Sequence, residues 1–141
     1  MLDDDVRALA REKNFAAFTT LFADGSPQTH IMWVDADEEY VYINTEQSRQ
    51  KVRNVAGDPR VVVTIFDAAD PYHYVEVRGV VVDVVGGDEG RAHMDKLRFK
   101  YTGETAPTDS SVARVYFRIA PSKQRSRRQP PRLSSRASRS G

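Results

Sequence analysis

The densest run of chemically capable side chains is Ile43-Asn44-Thr45-Glu46-Gln47-Ser48-Arg49-Gln50-Lys51-Val52-Arg53-Asn54. Apolar residues give way to hydroxyls and amides, and three cations follow at positions 49, 51 and 53. If the apolar part ends a strand and the cations open a helix, the free N–H groups of the first turn and its partial positive charge favour an anion. Arg49 can grip two phosphate oxygens with its planar fork, and Lys51 adds a mobile point charge. Ser48 and Arg53 are placed to help them. Arg49 and Arg53, four residues apart, share a helix face, which leaves Val52 for the interior. The same spacing also describes an ordinary solvated amphipathic helix, because Arg and Lys are common on surfaces. The residues alone therefore offer a phosphate site and a plain surface helix side by side.

Other chemical signals are weaker. His30 reads more simply as a strand histidine facing solvent or an interface than as a catalytic base, since no partner carboxylate stands near it in sequence. Trp33 reads as packing. His73 and His93 lack metal-ligand spacing with each other or with a carboxylate pair, so no metal is expected. The chain has no cysteine, which removes thiolate nucleophiles, thiolate metal sites and disulfides. Neither a serine nucleophile elbow nor a glycine-rich phosphate loop is present. The run Gly86-Gly87-Asp88-Glu89-Gly90 is glycine-rich, but its acids would repel a phosphate, and it reads as a turn. No catalytic residue is assigned.

The elements that must position the cationic run follow from pattern. Residues 3–10 read as a helix with acids at its start and Val6, Leu9 and Ala10 on one face. Residues 15–23 and 28–34 read as strands joined at Asp24-Gly25-Ser26. Residues 39–44 alternate as a third strand. Thr45 is the expected cap of a helix over 47–56, ended by Gly57-Asp58-Pro59. Strands are expected at 60–67, 74–85 (with a bulge or bend at Gly79) and 112–119, and a helix at 88–101. Six strands on short connections predict a mainly β protein, a six-stranded antiparallel barrel with short helices.

The 141 residues, 40% of them hydrophobic, suit one domain with a modest core. Seven of the 21 basic side chains lie in residues 121–141, which hold no acid. That leaves 14 basic against 20 acidic groups upstream, a net of −6 under an overall +1. An acidic body argues against nucleic acid as the main partner. The Arg-, Ser- and Pro-rich tail, residues 124–141, is expected to be disordered, with at most salt-sensitive, non-specific affinity for nucleic acid. The start Met1-Leu2-Asp3-Asp4-Asp5 does not read as a signal peptide, no apolar run is long enough for a membrane helix, and a cytoplasmic location is expected.

Several segments together resemble a known family. The segment Lys51-Val52-Arg53-Asn54, followed by Gly57-Asp58-Pro59-Arg60-Val61, is similar to the split β-barrel flavin and deazaflavin oxidoreductases, relatives of pyridoxamine 5′-phosphate oxidase. Asp24-Gly25-Ser26-Pro27-Gln28 with Trp33, Tyr72-His73-Tyr74-Val75-Glu76-Val77-Arg78-Gly79, and Lys100-Tyr101-Thr102-Gly103 extend the likeness over residues 5–123. It looks most like the branch that uses coenzyme F420. The resemblance implies a pyridoxamine 5′-phosphate oxidase-like split barrel over residues 1–123 and a homodimer with cofactor sites at its interface. Arg49 and Lys51 would hold the phosphate, with Ser48 and Arg53 assisting. The strand through Gln28, Thr29, His30 and Met32 would run beside the ring. Asn44 and Thr45 would sit where ring meets ribityl chain, and Tyr74 would arrive from the partner subunit. The implied activity is hydride transfer between reduced F420, which carries an acidic oligoglutamate extension, and a small organic substrate. An FMN-dependent oxidase or reductase, or a non-catalytic F420 carrier or sensor, stands as the alternative. After Pro121-Ser122-Lys123 the sequence departs from the family: Gln124-Arg125-Ser126-Arg127-Arg128 replaces an apolar closing segment.

Overall fold

The structure is a computed structural model and describes residues 1–128. Its elements run α1 (Asp4–Arg11), β1 (Phe15–Leu21), β2 (Pro27–Met32), β3 (Asp35–Ala36), β4 (Val41–Glu46), α2 (Gln50–Gly57), β5 (Arg60–Phe66), β6 (His73–Val85), α3 (Gly87–Thr102) and β7 (Arg114–Arg128). All strands join one sheet in the order β2-β1-β5-β6-β7-β4-β3, every pairing antiparallel.

Alternation decides which side chains point inward. β1 buries Ala16, Phe18 and Thr20, β5 buries Val61, Val63 and Ile65, and β6 buries Val75 and Val77. Fully burying one of these Val, Ile or Phe side chains contributes about 1.5–3 kcal/mol. Phe18 and Phe117 touch with ring centroids 5.8 Å apart. They stand on β1 and β7, which are separated in the sheet by β5 and β6, so the sheet must curl into a half-barrel to bring them together. Helix α1 buries Val6, Leu9 and Ala10 in the same core.

Local chemistry sets the turns. Asp24 accepts from the Ser26 backbone N–H at 2.9 Å, and Gly25 takes a left-handed φ of +87°, which closes the β1–β2 hairpin. The expected irregularity at Gly79 is present as a register shift between Arg78 and Gly79. A Cβ there would lie 2.5 Å from the Ala120 carbonyl oxygen.

Three expectations are corrected. The sheet has seven strands, because the acidic turn after Val34 includes the two-residue β3 pairing with β4. Thr45 is no helix cap: it is buried inside β4, and α2 starts three residues later than expected, at Gln50, with Arg49 in the capping position and no side-chain cap. Val52 packs against the core as expected, though only partly buried, and the buried residues of α2 are Lys51, Asn54 and Val55. The last strand begins at Arg114 and continues to Arg128, because β6 is long enough to pair with it: Glu76 stands opposite Arg125 and Tyr74 opposite Arg127. Residues 124–128 are therefore strand; the rest of the expected tail lies outside the described residues. Among those residues no helix is long and apolar enough to cross a membrane.

Candidate functional site

Curling of the sheet brings β2 and β4, which are not sheet neighbours, to opposite sides of a cavity of about 270 Å³ beside the start of α2. His30, Ile31 and Met32 line it from β2, and Asn44, Thr45 and Glu46 from β4. Arg49, Lys51 and Arg114 complete it.

Lys51 is the unusual member. The stripe Lys51, Asn54, Val55 follows helical i, i+3, i+4 spacing and turns all three inward, leaving Lys51 only 5% exposed. Its ammonium makes no hydrogen bond or ion pair with an acceptor among the described residues. Burial pushes it below the ordinary lysine range; Arg49 and Arg114 push the same way, and Glu46 opposes them. The Lys51 stem is buried while the ammonium faces the cavity; a partly desolvated cation without an acceptor is costly, and perturbed groups of this kind cluster at functional sites.

The neighbouring charges are poorly compensated. Glu46 Oε2 lies 3.8 Å from an Arg49 guanidinium nitrogen and 3.8 Å from one of Arg114. One carboxylate thus stands among three cations. His30 does not help: partial desolvation, then the Lys51 and Arg49 charges, hold it below the usual histidine range. The cavity is an electropositive recess fitted to an anion.

Asn54 holds the frame. Its Nδ2 donates to Thr20 Oγ1 on β1 at 3.0 Å and to Gln28 Oε1 on β2 at 3.4 Å, while its Oδ1 accepts from Gln50 at 2.8 Å. The helix that carries Lys51 is thereby pinned to both strands of the first hairpin.

A family model described as pyridoxamine 5′-phosphate oxidase matches residues 2–131. The chain belongs to this family. Among solved structures, the chain is similar to an F420 reductase at 31% identity, with a TM-score of 0.76 over 84% of this chain and 94% of that one. It is similar to a conserved hypothetical protein from Mycobacterium tuberculosis at 21% identity and a TM-score of 0.69, covering 95% of this chain and 91% of the other. The heme storage protein HutZ from Vibrio cholerae shares the fold at 15% identity, with a TM-score of 0.60 over 89% of this chain and 94% of its own. No curated protein matches the chain. The half-barrel agrees with the split barrel of the pyridoxamine 5′-phosphate oxidase family.

Within this family member, His30, Met32, Asn44, Thr45, Arg49 and Lys51 meet at the cationic cavity, while the other residues singled out in the sequence lie elsewhere. Gln28 is turned to Asn54, and Thr29 exchanges a 2.7 Å hydrogen bond with Thr19. Arg53 donates to the Ser48 carbonyl and to Gln50, outside the recess. Ser48 borders a different depression with Ser111 and Val112. Tyr74 lines a groove of about 700 Å³ on the β6–β7 ribbon with Glu76, Arg78 and Arg125. That groove is larger, but its arginines are exposed, whereas the β2–β4 recess sets the largely buried Lys51 beside two further cations and is the better candidate. Arg114 was not foreseen. Its position follows from the β4–β7 register, which sets Arg114 opposite Glu46.

Proposed function

We propose that this protein is an F420-dependent oxidoreductase that holds the cofactor phosphate in the recess formed by Arg49, Lys51 and Arg114. The observation that carries the reading is the buried Lys51 side chain, whose ammonium opens on a cavity shared with two further cations and has no hydrogen-bond or ion-pair acceptor among the described residues. The donor set fits a phosphate: two guanidinium forks and one ammonium supply directional and non-directional charge. Similarity to an F420 reductase at 31% identity supports the choice of cofactor.

A bound reduced deazaflavin supplies a hydride for a small electron-poor substrate. The chain's own residues bind and orient. The three cations hold the phosphate, and Asn54 fixes the helix that carries Lys51. His30, Ile31 and Met32 extend the recess along β2, where Ile31 is 60% exposed and offers apolar surface to a ring. A recess of about 270 Å³ is smaller than the roughly 300–1,000 Å³ of a complete ligand site. The proposal therefore includes a second copy of the chain covering the ring in a homodimer.

FMN carries a phosphate beneath a similar ring, and an FMN enzyme is the alternative on the same recess. A non-catalytic carrier is the other, since a heme storage protein shares the fold. Fluorescence-quenching titration tests the site. Wild type should bind F420, and Arg49→Ala with Lys51→Ala should bind at least about tenfold more weakly. Equal affinity in both sinks the site assignment. A flavin absorbance in the purified protein, with no F420 binding, moves the assignment to FMN. Tight F420 binding without oxidation of the reduced cofactor by enones, quinones or nitro compounds moves it to a carrier.

A further inference from the structure

Arg114 reaches the recess from β7, and its guanidinium is held by a chain of hydrogen bonds. Its Nε donates to Asn44 Oδ1 at 3.0 Å. Asn44, 4% exposed, donates through Nδ2 to the Gly90 carbonyl at 2.9 Å and to His93 Nδ1 at 3.0 Å. A backbone carbonyl only accepts, so the Asn44 amide cannot be flipped without setting two oxygens against each other. His93 Nδ1 must likewise be the unprotonated nitrogen. The Asn44 oxygen is thus committed to Arg114. One far nitrogen of the guanidinium lies 3.2 Å from Met94 Sδ, a weak acceptor, and the other has only Glu46 at 3.8 Å. Arg114 is fixed at its near end and unsatisfied at its far end, inside a recess where one carboxylate faces three cations.

A single negative charge would leave that recess with an excess cation. We infer that the recess takes two negative charges, one of them read by Arg114, and that Asn44 and His93 are positioning residues for Arg114. The second charge has two chemical sources. It is the second ionised oxygen of a phosphate monoester such as FMN, or a carboxylate beside a phosphodiester, as in the acidic extension of F420. This inference rests on the proposed phosphate site.

The test titrates full-length wild type, Arg114→Gln and Lys51→Met with FMN, riboflavin, F420, and the deazaflavin phosphodiester lacking its glutamates. If the second charge is a phosphate oxygen, Arg114→Gln loses about tenfold for FMN and nothing for riboflavin. In that case wild-type affinity for FMN also rises as the second phosphate proton leaves near a pKa of about 6, an arm that needs no variant. If the second charge is a carboxylate, the tenfold loss appears only with the glutamate-bearing deazaflavin. Less than about threefold loss for every ligand, while Lys51→Met loses tenfold, overturns the inference and leaves the phosphate site standing. Failure of wild type to bind any of the four removes both.

The positioning role has its own readout. His93→Leu should weaken binding of the preferred cofactor, and His93→Gln, whose amide oxygen can accept from Asn44, should restore it. In the Arg114→Gln background the His93→Leu change should have no further effect. A persistent effect there makes His93 merely structural and overturns its assignment.

Discussion

Replacing Lys51 by Met separates the cost of the recess from its use. Met keeps an unbranched apolar stem of similar length and removes only the charge. Lys51 is 5% exposed, and it shares the single carboxylate of Glu46 with two arginines, each 3.8 Å from it. In general, two like charges on the order of 7 Å apart at an effective dielectric of about 20 repel by about 2 kcal/mol before screening. The Arg49 side chain is 59% exposed, so solvent and salt reduce its share to well under half of that. Desolvation of the ammonium adds to the cost. Lys51→Met should therefore stabilise the ligand-free protein by about 1–2 kcal/mol, an increase in Tm of about 3–6 °C. It should also weaken cofactor binding by roughly 10- to 150-fold, the worth of one charge-assisted hydrogen bond to phosphate.

The pH dependence carries a definite sign. The folded-state pKa of Lys51 lies below its unfolded value. The folded state is penalised while Lys51 is protonated, and the penalty fades as pH rises toward the unfolded value of about 10.4. The stability advantage of Lys51→Met over wild type should shrink between pH 7 and 10. Lys100, half-buried and pushed down to about 8, gains in the same direction, but equally in both proteins, and cancels in the difference. Thermal unfolding by circular dichroism at pH 7, 8.5 and 9.5, paired with cofactor titration, measures both effects. A lower Tm for the variant at pH 7, or unchanged cofactor affinity, would falsify the reasoning.

Two further perturbations follow from particular contacts. Gly90 lets α3 approach β7 so closely that a Cβ would enter the van der Waals envelope of the Arg114 carbonyl oxygen. Gly90→Ala should cost about 1–3 kcal/mol and also weaken cofactor binding by displacing Arg114, whereas Gly57→Ala, which meets open space, should not destabilise; melts and titrations of both variants decide this. Burial pushes His93 down to about 4, so below about 6.5 the unfolded chain takes up a proton that the folded one refuses. Stability should fall between pH 6.5 and 4 by on the order of 3 kcal/mol, and His93→Gln should remove most of that slope in urea titrations; an unchanged slope assigns the acid sensitivity to other groups.

The barrel was legible because its signals are local. Alternating residues in β1 and β5, the Asp24-Gly25-Ser26 turn and the acidic start of α1 each act within a few positions. The short β3 escaped because two residues carry no period. The end of β7 escaped for a different reason: Arg, Ser and Gln read as solvated tail, yet backbone pairing with β6 does not depend on those side chains. In the site, the cationic run was visible and Arg49 and Lys51 stood out as the phosphate pair, but the inward turn of Lys51 was not visible. The stripe that turns inward contains a lysine, and lysines are rarely buried, so residue type gave no hint of its depth. Arg114 and His93 were invisible because their contacts to Asn44 span 70 and 49 residues, and only the β4–β7 register and the docking of α3 create them.

That contrast explains how a chain with little polar interior supports a cationic recess. β4 is the element on which the arrangement turns. Val41 and Ile43 anchor it in the core, and their burial fixes the register that sets Glu46 opposite Arg114. From the same strand Asn44 directs one acceptor at Arg114, and Glu46 offers a second, more distant one to both arginines. The acceptors suffice to aim the cations but not to neutralise them. Lys51, brought in by a helix pinned through Asn54, receives no acceptor among the described residues. Hydrophobic burial along the barrel strands offsets the electrostatic cost, and the charge left over is concentrated where β2, β4 and α2 converge. An anion entering that recess meets Arg114 already largely buried and aimed, and Lys51 on a pinned helix, so ordering those two donors at the moment of binding costs little.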